Sequence, residues 1–152
     1  MVEIYLVQHG EAKPEAEDPQ RPLTERGKND VLKVAKHISS IVKASKILHS
    51  GKLRARQTAE VLAEHIKPKD GVEETSGLSP LDDVGLAKSI VEEAKEPLML
   101  VGHMPHLSKL TSSLILGRDD LEVVKFRTSG VVCLVKDERG WKLAWALTPE
   151  VI

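Results

Sequence analysis

Two of the six histidines in this 152-residue chain stand where an imidazole could do chemistry. His9 follows the run Val2-Glu3-Ile4-Tyr5-Leu6-Val7-Gln8 and is itself followed by Gly10, while His103 follows Leu98-Met99-Leu100-Val101-Gly102. Short apolar, β-branched runs of this kind read as central parallel strands covered on both faces. The residue after such a strand sits at its carboxyl end, where open α/β sheets place their ligand crevices. Neighbouring strands would aim both imidazoles into one crevice, and Gly10 would let the backbone turn close to whatever His9 touches. A histidine in an ordinary strand-to-loop turn reads the same way over so few residues, so other groups must decide.

Phosphate is the natural ligand of such a crevice. Pro105 suits the first position of a helix, whose free N–H groups and positive end would point at the same rim. Arg54 and Arg56 lie in one helical stretch, roughly 200° apart around its axis, and cannot both serve one site. Arg56 precedes Glu60 by one turn, the spacing of a solvated ion pair. Arg54 shares its side with Thr58, Val61 and Leu62, so it turns inward, where a guanidinium wants a planar anion. The spacing of His103 and His106 invites a metal reading, but no carboxylate pattern of a zinc helix accompanies it. His37, His49 and His65 occupy positions consistent with surface or core-edge roles.

The elements that must position these groups alternate. After the first strand and a charged, proline-bearing loop over 13–22, Thr24 is a good N-cap and Glu25 favours the positive helix end. Val31, Val34, Ala35, Ile38, Ile41 and Val42 then predict an amphipathic helix of about five turns. Lys46 to His49 reads as a short strand, Ser50-Gly51 as its punctuation, and a second helix carries Leu53-Arg54-Ala55-Arg56-Gln57-Thr58 to about Ile66. A weak strand near Val72 to Thr75 and a loop over Gly77-Leu78-Ser79-Pro80 precede a third helix capped by Asp82 and Asp83. The helix after Pro105 stops at Gly117, and 121–126 reads as either strand or loop. Val131 to Val135 and Trp141 to Leu147 form a hairpin through Asp137-Glu138-Arg139-Gly140. The pattern predicts a single α/β domain over 1–152: three layers, α/β/α, with a mostly parallel central sheet and an antiparallel C-terminal strand pair.

With 22 basic and 23 acidic residues the net charge is −1, so no global field draws the chain to nucleic acid or an anionic membrane. The apolar runs are too short for a membrane span and no signal core is present, which points to the cytoplasm. Cys133, the single cysteine, lies in an apolar run and reads as a small buried hydrophobe rather than a nucleophile.

The order of the motifs Gln8-His9-Gly10-Glu11, Arg21-Pro22-Leu23-Thr24-Glu25-Arg26-Gly27, Leu53-Arg54-Ala55-Arg56-Gln57-Thr58 and Val101-Gly102-His103 resembles the histidine phosphatase superfamily, also called phosphoglycerate mutase-like. The short length and Arg21-Pro22-Leu23-Thr24 resemble its small SixA-type phosphohistidine phosphatases in particular. The likeness runs to His103 and continues more weakly through Thr128-Ser129. It implies that His9 is the nucleophile, that Arg54 and His103 bind the phosphoryl oxygens, and that Arg21 lines the entrance. It also makes Gln8, Gly10 and Met104 candidate phosphate contacts. The chemistry agrees: a neutral imidazole is a competent nucleophile if its other nitrogen is held protonated by an acceptor such as a backbone carbonyl. Positive groups around the oxygens then stabilise the transferred group, and neither a metal nor a cofactor is required.

Two positions depart from the superfamily pattern. Gln8 stands where an arginine is usual; its amide can still donate to a phosphate oxygen but lacks the charge and the fork. Gly77 stands where many members carry a glutamate acid. A phosphomonoester expels an alkoxide whose conjugate acid has a pKa of about 16 and needs that proton. A phosphohistidine protonated on its far nitrogen expels neutral imidazole, conjugate acid ~6.5. Loss of the acid therefore favours a P–N substrate, unless Asp82 or Asp83 substitutes. The resemblance implies a phosphohistidine-bearing protein as partner. A small-molecule phosphomonoesterase and a non-catalytic phosphate-binding module on the same scaffold are the alternatives, and a metal hydrolase is a third.

Overall fold

The computed structural model describes residues 2–152. Strand β1 (Glu3–Gln8) is followed by helix α1 (Glu25–Ile38), β2 (Lys46–His49), α2 (Leu53–Ile66), β3 (Val72–Glu74), α3 (Gly85–Glu93), β4 (Leu98–Gly102), α4 (His106–Leu116), β5 (Val131–Asp137) and β6 (Gly140–Leu147). One six-stranded sheet has the order β3-β2-β4-β1-β5-β6. The first four of these strands run parallel, β5 runs antiparallel to β1, and β6 antiparallel to β5. The expected mostly parallel sheet with an antiparallel pair at its end is what forms.

Both faces of the sheet are covered, which explains why β1 reads as a continuous apolar run. Tyr5 and Val7 join Val31, Val34, Ala35, Ile38, Ala55, Ala59 and Leu62 of α1 and α2 in one core. Ile4 and Leu6 point the other way, into a second core with Ala87, Val91, Leu107, Leu110 and Leu114 of α3 and α4. Burying each such side chain contributes roughly 1.5–3 kcal/mol, and that commits β1 to the middle of the sheet. Cys133 lies in the first core, fully buried. Burial, with Glu3 adding to it, pushes its thiol up to about 12, so it stays protonated.

Three local expectations need correction. Helix α1 ends at Ile38 instead of continuing to Val42: Ser39 Oγ turns back to the Lys36 carbonyl at 3.0 Å, leaving Ile41 exposed while Val42 returns to the core. Asp82 does not cap α3, whose N-cap is Val84, while Asp83 satisfies only the N–H of Gly85, the first helical residue. Asp82 accepts from the Ser79 N–H at 3.0 Å and Asp83 from the Gly85 N–H at 2.7 Å, shaping the turn before the helix. Pro105 precedes α4 as its N-cap residue, and 121–126 contains no strand. No helix among the described residues is long and apolar enough to cross a membrane.

The start of α1 is bolted to the loop that leaves β1. Thr24 caps the helix by accepting from the Gly27 N–H at 2.9 Å, and its own N–H donates to the Glu11 carbonyl at 3.0 Å. Gly27 permits this approach, because a Cβ there would lie 2.1 Å from the Glu11 carbonyl oxygen. Gly27→Ala should therefore lower the urea midpoint by the equivalent of about 1–3 kcal/mol, the cost of overpacking. An unchanged midpoint would show that the loop yields freely.

Candidate active site

The parallel register sets the site. Gln8 lies opposite Gly102, so the residues that follow, His9 and His103, leave the sheet side by side, and the His9 N–H donates to the Gly102 carbonyl at 3.1 Å. Their ring centroids are 5.0 Å apart. On the other side of β1, the Ser129 N–H donates to the Gln8 carbonyl at 3.0 Å and more weakly to that of His9 at 3.3 Å.

The His9 ring is oriented by its own loop. Nδ1 lies 2.7 Å from the Gly10 carbonyl, so Nδ1 carries the proton and donates it, leaving Nε2 with a free lone pair. Gly10 is held in turn by its N–H, which donates to Thr58 Oγ1 at 3.0 Å; the Thr58 hydroxyl donates to the Arg54 carbonyl at 2.8 Å. Gln57 Oε1 accepts from the Leu23 N–H at 2.8 Å. Helix α2 thus fixes both the His9 loop and the start of α1 while presenting Arg54.

Arg54 turns inward and Arg56 outward, as the helical spacing predicts. Arg56 lies 3.9 Å from Glu60 with both side chains exposed. The Arg54 Nε is buried with no protein partner. Arg21 sits in the left-handed region at φ 50°, its Nε donating to the Lys13 carbonyl at 3.0 Å. It makes no ion pair with Asp18, whose carboxylate accepts from the Gln20 N–H. Burial first, and the Arg21 charge second, lower the Arg54 guanidinium from its ordinary value.

Burial is also what lowers His9 to about 4, aided by the charges of Arg54 and Arg21 and opposed by the Gly10 carbonyl. His103 falls to about 3 through burial, with His9, Arg54, Lys52 and His106 contributing. Both rings are neutral at neutral pH. His103 is 1% exposed; its Nε2 lies 2.6 Å from Ser50 Oγ and its Nδ1 has no protein partner. Gln8 Oε1 and Ser129 Oγ are likewise buried and unpaired, and Ser129 sits at φ 66°. The unpaired Arg54 Nε, the charge of Arg21 and the Ser129 hydroxyl can all donate to or attract an anion, whereas Gln8 Oε1 is an acceptor and can serve one only through the amide N–H beside it.

The remaining candidates fall elsewhere. The Met104 side chain packs against the α3–α4 core. His106 is wholly buried and has no surface to offer a substrate. His49 is spent on its own turn, accepting from the Gly51 N–H at 3.0 Å. Gly77 adopts φ +90° with Leu86 within 3.0 Å of where a Cβ would be, so no side chain fits there without strain. Among the described residues no three His, Cys, Asp or Glu side chains gather as metal ligands would. A hollow of about 590 Å³ lies away from the imidazoles, lined by Lys46, Glu73, Glu74, Ile90 and Glu93 among others.

The family model of the histidine phosphatase superfamily (branch 1) matches residues 4–82, from β1 through α2 to the loop before α3. The chain belongs to that superfamily. As a histidine phosphatase it is a hydrolase with a catalytic histidine. It is 26% identical to the phosphohistidine phosphatase SixA of Escherichia coli K12, over 97% of this chain and 94% of that protein. It is 35% identical to an uncharacterized protein of Picosynechococcus, over 77% of this chain and 75% of that one. The solved structure of the protein histidine phosphatase SixA complexed with tungstate superposes with a TM-score of 0.86 at 25% identity, covering 99% of both chains. The fold expected from the motifs is therefore that of this superfamily.

Four groups around the imidazoles escaped the sequence reading: Ser50, Gln57, Thr58 as a loop anchor, and Ser129. Helical spacing places Thr58 on the inward side with Arg54 but does not reveal its bond to the Gly10 N–H, and Gln57 is one residue from it on the same helix. Ser50 and Ser129 look like turn residues in any sequence.

The neutral imidazoles of this histidine phosphatase make its stability pH-dependent. An unfolded imidazole titrates at ~6.5, whereas His9 and His103 do so at about 4 and about 3 when folded. The folded chain binds fewer protons between these limits, so their contribution is complete above the unfolded value and is lost as pH falls through the folded ones. The urea midpoint should drop between about pH 7.5 and about pH 5, less steeply in His103→Gln. A flat profile, or charged ring-nitrogen signals for His9 and His103 at about pH 5, would contradict this.

Proposed function

We propose that this chain is a SixA-like phosphohistidine phosphatase, removing the phosphoryl group of a phosphohistidine-bearing protein by way of a covalent phosphohistidine on His9. The observation that carries the reading is the Nδ1 contact of His9 with the Gly10 carbonyl. It leaves Nε2 unprotonated in a crevice whose unpaired Arg54 Nε awaits an anion. In the first step the Nε2 lone pair attacks phosphorus and the substrate's P–N bond breaks, its electron pair returning to the departing imidazole. In the second, water adds to phosphorus and the Nε2–P bond breaks. Dihydrogen phosphate leaves with both protons of the water, and His9 is restored in its starting tautomer. Arg54 and His103 hold the oxygens through both steps, with Arg21 at the entrance and Gln8 alongside; Gly10, whose N–H goes to Thr58 and whose carbonyl takes the His9 proton, orients the nucleophile and does not touch the phosphoryl group. Met104 joins this set only as the backbone that links His103 to α4.

The substrate class rests on what is missing beside the leaving group. Gly77 has no side chain and no room for one, and the carboxylates of Asp82 and Asp83 are committed to the turn before α3. Neither aspartate is among the charges that shift His9 or His103. Phosphohistidine needs no proton donor to leave, whereas an alkoxide does.

Radiolabelled phosphate offered on a phosphorylated carrier protein should appear transiently on the wild type, in an acid-labile and alkali-stable linkage, and not on His9→Ala. A sugar phosphate should turn over about 10²- to 10⁴-fold more slowly, the contribution of a general acid. Label persisting on His9→Ala, or comparable turnover of the two substrates, would overturn the reading. Arg54→Lys should lose about 10²- to 10³-fold in kcat/KM through the lost fork. A chelator should leave turnover unchanged, and a loss restored by a divalent cation would refute the mechanism.

A further inference from the structure

We propose that Ser50 is a positioning residue that sets the tautomer of His103, and thereby makes His103 a neutral hydrogen-bond donor to a phosphoryl oxygen. The inference rests on reading this crevice as a phosphoryl site, and it concerns how the site is wired rather than which molecule brings the phosphoryl group.

Ser50 Oγ has one proton to give and two lone pairs to receive with. The Lys52 N–H donates to it at 3.3 Å, and His103 Nε2 lies 2.6 Å away. Two arrangements are available. If Nε2–H donates to Ser50, the hydroxyl proton is left without a protein partner and Nδ1 becomes a bare lone pair. That lone pair would be buried on a ring 1% exposed, unpaired with any protein group, and would repel an anion's oxygen. If the Ser50 hydroxyl donates to Nε2, the Ser50 proton is used and only the Nδ1 proton stays unpaired. Nδ1 then carries an N–H, the one polar atom of the ring left for a ligand. An anion selects the second arrangement. It also spares the site a third full positive charge beside Arg54 and Arg21.

The placement of Ser50 is a property of the sheet. Strand β2 pairs with β4 with His49 opposite Val101, which brings the next residue of β2 to the level of the loop that carries His103. The turn is then locked by the Gly51 N–H donating to His49 Nδ1 at 3.0 Å. The tautomer of His9 is set by its own neighbour, Gly10, while that of His103 is set by a hydroxyl from the turn that follows β2.

Histidine labelled with ¹⁵N reads the tautomer directly. In the wild type the proton of His103 should lie on Nδ1, and in Ser50→Ala the population should move to Nε2–H. Ser50→Ala should bind vanadate, a phosphate mimic, about 10- to 100-fold more weakly and lose a similar factor in kcat/KM, as other orienting partners do. Ser50→Thr keeps the hydroxyl and should recover most of both. A wild-type signal with the proton on Nε2 would overturn the proposal whatever the variants do. So would a Ser50→Ala protein that keeps the Nδ1–H form and its affinity for vanadate. The tautomer and vanadate affinity are read without a phosphohistidine substrate. A protein that passes both and ignores phosphorylated carrier proteins would refute the substrate assignment alone.

Discussion

The pairing of β1 with β4 is the constraint from which the rest follows. Two strands far apart in sequence lie parallel with Gln8 opposite Gly102, and a bond from the His9 N–H to the Gly102 carbonyl continues the ladder one step past the strand ends. Both histidines therefore leave the sheet at one level. A slip of one residue would send Tyr5 and Val7 to the α3–α4 face and Ile4 and Leu6 to the α1–α2 face, against cores shaped for the opposite sets. The hydrophobic contacts that stabilise the domain are thus the same ones that hold two imidazoles 5.0 Å apart.

The crevice is an expensive arrangement in the absence of a ligand. The buried His103 ring with an unpaired nitrogen, an arginine with an unpaired buried nitrogen, and the unpaired Gln8 and Ser129 side chains each forgo hydrogen bonds that water would supply. Ser129 adds a backbone conformation that non-glycine residues seldom adopt. These costs cluster in one place, and the surrounding elements absorb them through many small contacts: the Thr24 cap, the Thr58 hydroxyl, the Gln57 amide and the Ser129 N–H. Such local violation of packing rules inside a well-satisfied fold is what a preorganised anion site looks like.

Much of this was legible in the sequence, for identifiable reasons. A strand buried on both faces advertises itself by an unbroken apolar run, so the ends of β1 and β4, and with them His9 and His103, could be located. The inward turn of Arg54 and outward turn of Arg56 followed from helical geometry alone. What stayed hidden depends on backbone detail that residue types do not encode. Helix α1 stops early because Ser39 finds a local carbonyl, and Asp82 and Asp83 serve a turn although their spacing fits a cap equally well. The Ser50 contact depends on the β2–β4 register, and the role of Gly77 depends on a positive φ, neither of which has a signature in a single chain.

The central position of β1 also shapes how the chain comes to be folded. Ile4 is emitted from the ribosome long before Leu98 and Leu134, the residues it pairs with on either side. Until β4 and then β5 emerge, a nascent chain carries a strand with an apolar centre, Ile4 to Val7, and both edges unsheathed, the kind of segment most apt to stick to another copy of itself. Synthesis must outrun self-association or be shielded by a chaperone, and activity can arise only after the last third of the polypeptide has docked.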